Sequence, residues 1–150
     1  MITLTRTDST NTDFINLVKE LNAYFAVIDG DDHAFYSQFN TVSSLKYVVV
    51  AYENDKAVGC GAIREFSRDI IEVKRMYVLP ECRGKGVASK LLAELERWAK
   101  ELGYNTCILE THIKQSDAVA LYNKCGYKVV PNYGQYANME TSICFEKTLS

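Results

Sequence analysis

The sequence predicts an α/β (α+β) fold in one domain spanning residues 1–150, a mixed, mostly antiparallel sheet of six or seven strands flanked by about four helices. Three observations carry that prediction. The hydrophobic period switches repeatedly between about 2 and about 3.6 residues, so strands and helices interleave. Consecutive strand-like runs with short polar turns fill the middle of the chain, which is the pattern of an antiparallel meander. A strand–helix–strand unit follows, and the sheet around it is therefore mixed.

Composition narrows the class. The 150 residues are 47% hydrophobic, 24% charged and 11% aromatic, with 8 Gly and 2 Pro, which excludes collagen-like, low-complexity and disordered chains. A chain of this length buries roughly two-thirds of its unfolded surface and needs no disulfide or metal to fold. Lys+Arg 17 against Asp+Glu 19 gives a net charge of −2, which argues against nucleic acid or anionic membrane as a partner held by bulk charge. No run approaches the about 18 apolar residues of a membrane span, and Met1 to Arg6 lacks the layout of a signal peptide. The expected location is cytoplasmic. The five cysteines, Cys60, Cys82, Cys107, Cys125 and Cys144, contain no Cys-x-x-Cys pair, so reduced thiols and no metal site are expected.

Ile2-Thr3-Leu4-Thr5 opens the chain as a short strand. Phe14, Leu17, Val18, Leu21 and Phe25 recur at helical spacing after the polar Ser9–Thr12 stretch. Asp29-Gly30-Asp31-Asp32 breaks the pattern, and His33 to Phe39 reads as a second short helix. Tyr47 to Tyr52 is rich in β-branched and aromatic residues, Glu53 to Lys56 turns, and Ala57 to Arg64 forms the next strand. A polar turn at Ser67-Arg68-Asp69 leads into the strand Ile70 to Val78. Val87, Ala88, Leu91, Leu92, Leu95, Trp98, Ala99 and Leu102 then form one apolar helical stripe, ended by Gly103. Thr106 to Leu109 is a strand, Ala118, Leu121, Tyr122 and Cys125 mark a helix ended by Gly126, and Tyr127 to Val130 resumes a strand. After the polar, aromatic loop Asn132 to Asn138, Ser142 to Glu146 is the last strand.

The segment richest in chemistry is Val78-Leu79-Pro80-Glu81-Cys82-Arg83-Gly84-Lys85-Gly86-Val87-Ala88, which joins a strand to the longest helix. Nearby glycines let the backbone turn tightly and approach a ligand. The first turn of a helix offers free N–H groups and about half a unit of positive charge, and Arg83 and Lys85 add cations. That arrangement suits an anion, with phosphate foremost. A plain strand-to-helix turn with glycines for sterics is the alternative. Neither Gly-x-x-x-x-Gly-Lys-Ser/Thr nor a complete Gly-x-Gly-x-x-Gly is present, since position 89 is Ser.

Arg83-Gly84-Lys85-Gly86-Val87-Ala88 resembles the Arg/Gln-x-x-Gly-x-Gly/Ala signature of the GNAT-type N-acetyltransferases. Glu72-Val73-Lys74-Arg75-Met76-Tyr77-Val78 is similar to that family's fourth strand, and Ala120 to Tyr127 to its Leu-Tyr-x-Lys-x-Gly-Phe/Tyr helix ending. Order and spacing agree from about Val48 to Lys147. The resemblance implies a GNAT-like acyl-CoA N-acyltransferase fold with acetyl-CoA as acyl donor and no metal. It implies that the loop amides of Arg83 to Ala88 hold the pyrophosphate, and that Met76, Tyr77 and Val78 border the pantetheine arm. It also implies that Tyr122 lies beside the thioester sulfur as general acid, with a core tyrosine as the alternative.

Simple chemistry supplies the rest. A primary amine is mostly an ammonium near neutral pH and must lose a proton before it attacks, so a base is needed. Glu72 is the leading candidate, acting directly or through water, and strand alternation would put it on one face with Lys74, Met76 and Val78. The alternative is a solvated carboxylate or a partner for Arg64 or Arg75. Glu110 is the second candidate base. A carboxylate at its ordinary pKa is a poor base, so either needs burial. Backbone N–H near Val78 is the expected oxyanion donor. Substrate contacts are expected from Asp31, His33, Glu110 and Tyr136, on an acidic break, a strand end and an aromatic loop. Cys82 beside Arg83 is a weaker nucleophile candidate. Arg64, Arg68, Lys74 and Arg75 form a cationic group expected to balance neighbouring acids rather than to bind a substrate carboxylate.

The function expected is direct transfer, in a ternary complex, to a primary amine of a small molecule. A peptide or protein amine, a non-catalytic acyl-CoA sensor and an unrelated phosphate-binding module are the alternatives. A homodimer is expected by analogy alone.

Overall fold

The computed structural model describes residues 1–28 and 45–150. In chain order the first elements are β1 (Ile2–Thr7), α1 (Thr12–Ile28), β2 (Tyr47–Glu53), β3 (Lys56–Glu65) and β4 (Ile70–Val78). They are followed by α2 (Val87–Glu101), β5 (Thr106–His112), α3 (Ser116–Lys124), β6 (Lys128–Val130) and β7 (Ser142–Thr148). Single 3₁₀ turns occupy Pro80–Cys82 and Gly134–Tyr136. The seven strands form one sheet in the order β1-β2-β3-β4-β5-β7-β6. Three helices lie among the described residues, and the helix expected over His33 to Phe39 falls outside them.

The first four strands are the expected meander, each antiparallel to the one before. Asn54 and Asp55 take φ of 51° and 66°, the left-handed pair that closes a tight hairpin between β2 and β3. β4 then pairs with β5 in parallel, and β5, β7 and β6 are again antiparallel. The parallel pairing is short. It joins only Ile70, Ile71 and Glu72 to Thr106, Cys107 and Ile108, so β4 and β5 part beyond Glu72.

The stripe read on α2 is the main packing face, with Val87, Leu91, Leu92, Leu95 and Ala99 all buried. Small residues on β3 let the helix approach closely. A Cβ on Gly61 would lie 2.5 Å from the Met76 sulfur and 2.8 Å from Leu95 Cδ1, so no larger residue fits without displacement. α1 covers the opposite face through Phe14, Leu17, Val18 and Leu21, and its Asp13 accepts a 2.7 Å hydrogen bond from the Tyr52 hydroxyl. Cys60, Cys107 and Cys144 are fully buried, and all five cysteines are free thiols. No helix among the described residues is long and apolar enough to cross a membrane.

The strand alternation expected across β4 does not hold. Cys60 pairs with Tyr77 but Ala62 pairs with Lys74, so Arg75 and Met76 together oppose the single residue Gly61. Arg75 has φ of 58°, which makes this a bulge in β4. Met76 and Val78 turn toward α2, contacting the space beside Gly61 and Gly59, while Arg75 turns to Asn22 of α1. Glu72 and Lys74 therefore do not share a face with Met76 and Val78.

Candidate active site

The connection from β4 to α2 is held by its own backbone and by one arginine. Cys82 N–H donates to the Leu79 carbonyl at 2.9 Å, closing the 3₁₀ turn. Arg83 Nε donates to the Val78 carbonyl at 2.9 Å, and the guanidinium lies 5.6 Å from the centre of the Tyr77 ring. Arg83 thus ties the loop to the end of β4 and sets where α2 begins. Gly84 and Gly86 have φ of 81° and 82°, and a Cβ on either would meet nothing within 4 Å. These glycines are required by the backbone turn, not by crowding. Gly86 is the N-cap of α2 and no side chain caps the helix, which leaves first-turn N–H groups available at its positive end.

That helix end opens on a cavity of about 610 Å³, whose lining includes Gly84, Gly86, Val87, Ala88 and Ser89. Its other walls are Met76, Tyr77 and Val78 from β4, Leu21 and Tyr24 from α1, and Lys114 to Ala118, Leu121, Tyr122 and Lys124 around α3. The cavity lies where β4 and β5 part, so the β5-facing backbone groups of β4 beyond Glu72 have no strand partner among the described residues. An uncapped helix end, an open glycine cradle and an unpaired strand edge fit a long ligand with a pyrophosphate and an amide-bearing arm.

All the residues expected to hold that ligand line the cavity except Lys85: Met76, Tyr77, Val78, Arg83, Gly84, Gly86, Val87, Ala88 and Tyr122. The Lys85 side chain is half exposed and reaches Glu53, 3.5 Å away. The lysines that do line the cavity, Lys114 and Lys124, flank α3; Lys124 is the lysine of the Leu-Tyr-x-Lys helix ending, whereas nothing in the sequence singled out Lys114. Cys82 is also in the lining, buried within its turn.

Tyr122 is a buried core residue that also belongs to the cavity lining. Its ring is buried against Tyr127 and Phe145, with centroids 5.9 and 5.7 Å away. Its hydroxyl makes no hydrogen bond among the described residues, and the residue forms part of the cavity wall. Burial pushes the phenol above its ordinary pKa, and the fields of Glu110 and Cys125 act in the same direction. Tyr122 therefore stays protonated through the neutral range.

Glu72 is neither solvated nor paired to an arginine. It is 5% exposed, its Oε2 accepts a 2.7 Å hydrogen bond from the Tyr133 hydroxyl, and its Oε1 lies 3.8 Å from Lys74 Nζ. Burial lowers the Lys74 pKa, with Glu72 opposing that shift and Arg64 and Arg75 adding to it. Burial and Glu72 together hold the Tyr133 phenol far above its usual value. Tyr133 is fixed edge-on by Phe66 at 5.2 Å and Tyr136 at 5.8 Å. It stands 61 residues from Glu72, and only its membership of an aromatic loop hinted at a role.

Glu110, half-buried on β5, contributes to the electrostatics of Lys74, Tyr122 and Tyr136, which brings these groups into one neighbourhood. Tyr136 is buried in the 3₁₀ turn after Tyr133. Asp31 and His33 lie outside the described residues, as does the acidic break around them. His112 is buried at the end of β5, and its Nδ1 accepts the Lys114 N–H at 3.1 Å. The Gln115 side-chain oxygen accepts the Thr111 hydroxyl and the His112 N–H at 2.9 and 3.1 Å. These bonds fasten the turn that brings the start of α3 to the cavity. Among the described residues no group of three or more His, Cys, Asp or Glu could hold a metal ion.

Known proteins are similar to this chain in sequence and in architecture. The model of the acetyltransferase (GNAT) family matches residues 14–127. An IAA acetyltransferase of Azospirillum brasilense is 30% identical over 99% of this chain and 98% of its own. A crystal structure from Klebsiella pneumoniae, assigned to the acyl-CoA N-acyltransferases, superposes with a TM-score of 0.84 at 32% identity, covering 100% of this chain and 99% of that one. A GNAT-family acetyltransferase of Elizabethkingia anophelis with acetyl-CoA bound shares the fold, with a TM-score of 0.72 at 17% identity over 99% of this chain and 98% of that one. The chain belongs to the GNAT family of acetyltransferases, enzymes whose acyl donor is acetyl-CoA.

Proposed function

We propose that this acetyltransferase transfers an acetyl group from acetyl-CoA directly to a primary amine of a small molecule, with both bound at once. One observation carries the reading: β4 and β5 part beside the uncapped end of α2, and Tyr122 stands in the wall of the same cavity. The donor supplies an activated thioester. The free N–H groups of the first turn of α2, with the Gly84–Gly86 cradle, bind its pyrophosphate. The unpaired edge of β4 near Val78 orients its arm and offers backbone N–H to the developing oxyanion.

Glu72 takes the proton that the acceptor ammonium must lose, directly or through a water. Tyr133, donating to Oε2, and Lys74, near Oε1, fix the orientation of that carboxylate. Tyr122, held protonated by burial, donates its hydroxyl hydrogen toward the sulfur as the carbon–sulfur bond breaks. The smallness of the acceptor is supported by the buried setting of Glu72 and Tyr136, which suits an enclosed molecule better than an extended polypeptide.

The test is release of free thiol from acetyl-CoA across polyamines, aminoglycosides, amino acids and peptides. Amine-dependent release with small molecules supports the proposal, and release with peptides alone redirects it to a polypeptide acceptor. Donor binding without release against any amine would make the chain an acyl-CoA sensor.

A further inference from the structure

The buried polar and charged residues among those described are Glu72, Lys74, Arg75, Thr111, His112 and Ser142, all on β4, β5 or β7. Within that set the two cations differ. Lys74 has the Glu72 carboxylate 3.8 Å away. Arg75 makes no ion pair among the described residues, which contradicts the expectation that neighbouring acids balance it. Its Nη2 donates to the neutral side-chain oxygen of Asn22, and its guanidinium lies 5.9 Å from the centre of the Phe25 ring. Nε and Nη1 are buried and find no acceptor among the described residues. Burial depresses the guanidinium to about 10, still well above neutral pH, so the side chain is a cation at work.

Leaving buried charged donors unmet is costly, because neither water nor protein replaces the lost hydration. The same residue also carries a left-handed backbone, with φ of 58° in the bulge of β4. Two costs on one side chain make sense where a ligand offsets them. Arg75 itself is not in the cavity lining, but Met76, the next residue, and Leu21 and Tyr24, one residue before and two after Asn22, line it. The Tyr136 hydroxyl interacts electrostatically with both Arg75 and Glu72, so Arg75 shares the neighbourhood of the candidate base.

We propose that Arg75 binds an acidic oxyanion, a carboxylate or a phosphonate, carried by the acceptor amine, so that the acceptor is an amino acid or an aminophosphonate. The inference rests on the acetyltransferase reading for the word acceptor, and on Arg75 alone for the acid. A guanidinium suits this task because it stays charged and presents several N–H donors to oxyanion lone pairs. An uncharged or purely cationic amine would leave Nε and Nη1 unmet and would add a positive charge beside Arg75 and Lys74.

The test uses the full chain saturated with coenzyme A, so that the donor's phosphates do not compete. Each free L-amino acid, its α-carboxamide and the matching aminoalkylphosphonate are titrated by calorimetry and by thermal shift. One or more acids should bind at least ten times more tightly than the matching carboxamide, and the carboxylate and phosphonate arms identify which oxyanion is used. Arg75→Met should lower acid binding at least tenfold while its own melting temperature stays equal or rises. Arg75→Lys, which keeps the charge with fewer donors, should recover part of the affinity. Carboxamides binding as well as acids, no acid binding at all, or Arg75→Met retaining acid affinity would each overturn the inference. Acid binding without thiol release would instead overturn the acetyltransfer reading and leave the acid site standing.

Discussion

The cavity proposed for the donor and the buried polar cluster around Glu72 proposed for the acceptor are built by different means. The donor side is local and made mainly of backbone: one strand end, two left-handed glycines and an uncapped helix end, all within Val78 to Ala88. The acceptor side is non-local and made of side chains, in which Glu72, Lys74 and Arg75 of β4 meet Tyr133 and Tyr136 from a loop about 60 residues later. Its polar groups are buried, whereas Gly84 and Gly86 look onto open space. A site that receives one fixed ligand can rely on amides and a helix dipole, which no substitution outside glycine easily disturbs. A site that must recognise a particular amine needs individual side chains, and these need burial to be held in place. Tyr122 links the two, since its ring packs in the core, the residue lines the cavity and it lies within the field of Glu110.

The sharpest way to break this division is at that link. Tyr122→Phe keeps the ring packing against Tyr127 and Phe145 and removes only the donor, so kcat should fall by about 10²-fold with donor affinity unchanged. An unchanged kcat would reduce Tyr122 to a core residue. On the donor side, Gly84→Val or Gly86→Val forces a β-branched residue into a left-handed backbone, at about 1–2 kcal/mol or more. Calorimetry should then find coenzyme A bound about tenfold more weakly, with acceptor specificity intact.

The legibility of the two sides in the sequence follows the same line. Helical and strand periods fall out of local pattern, and α2 buries Val87, Leu91, Leu92, Leu95 and Ala99 of the predicted stripe, while Leu102 at its end is exposed. The glycine loop is one continuous segment, so its residues could be named from sequence. The bulge at Arg75 could not, because alternation carries no mark of a single inserted residue, and assuming it unbroken put Met76 and Val78 on the wrong face relative to Glu72. Tyr133 was equally hidden, since its partner is set by how β6 and β7 return to the sheet. Lys85 shows how far a side chain can lie from what its sequence position suggests. A cation beside a phosphate loop looks like a ligand, yet its side chain reaches Glu53. Asp31 and His33 fall outside the described residues.

A smaller effect sharpens the acceptor side. Tyr133→Phe removes a hydrogen bond to a buried carboxylate, an interaction worth about 1.5–3 kcal/mol. Amine-dependent kcat/KM should fall about tenfold or more with coenzyme A affinity unchanged, which steady-state rates beside calorimetry would read. Equal loss for donor and acceptor would instead mean that the loop merely supports the fold.

The smallest effect concerns the core that both sides share. Burial raises the Cys60 and Cys107 thiols to about 12, against about 9 in the unfolded chain. Between those values the unfolded state releases protons that the folded state keeps, so folding stability is full below pH 9 and declines as pH rises toward 12. Urea midpoints should fall over that window. The slope should flatten in Cys60→Ala, and a slope unchanged by that substitution would assign the decline to other groups.

The central claim is that a buried acceptor side, organised on Glu72, works on an amine while the donor side holds acetyl-CoA independently. The most direct measurement pairs thiol release with coenzyme A affinity for the wild type and Glu72→Gln, using a small primary amine that the wild type accepts. Turnover in Glu72→Gln should fall about 10²-fold with coenzyme A affinity unchanged. Turnover equal to the wild type, or loss of coenzyme A affinity in step with loss of rate, would contradict it.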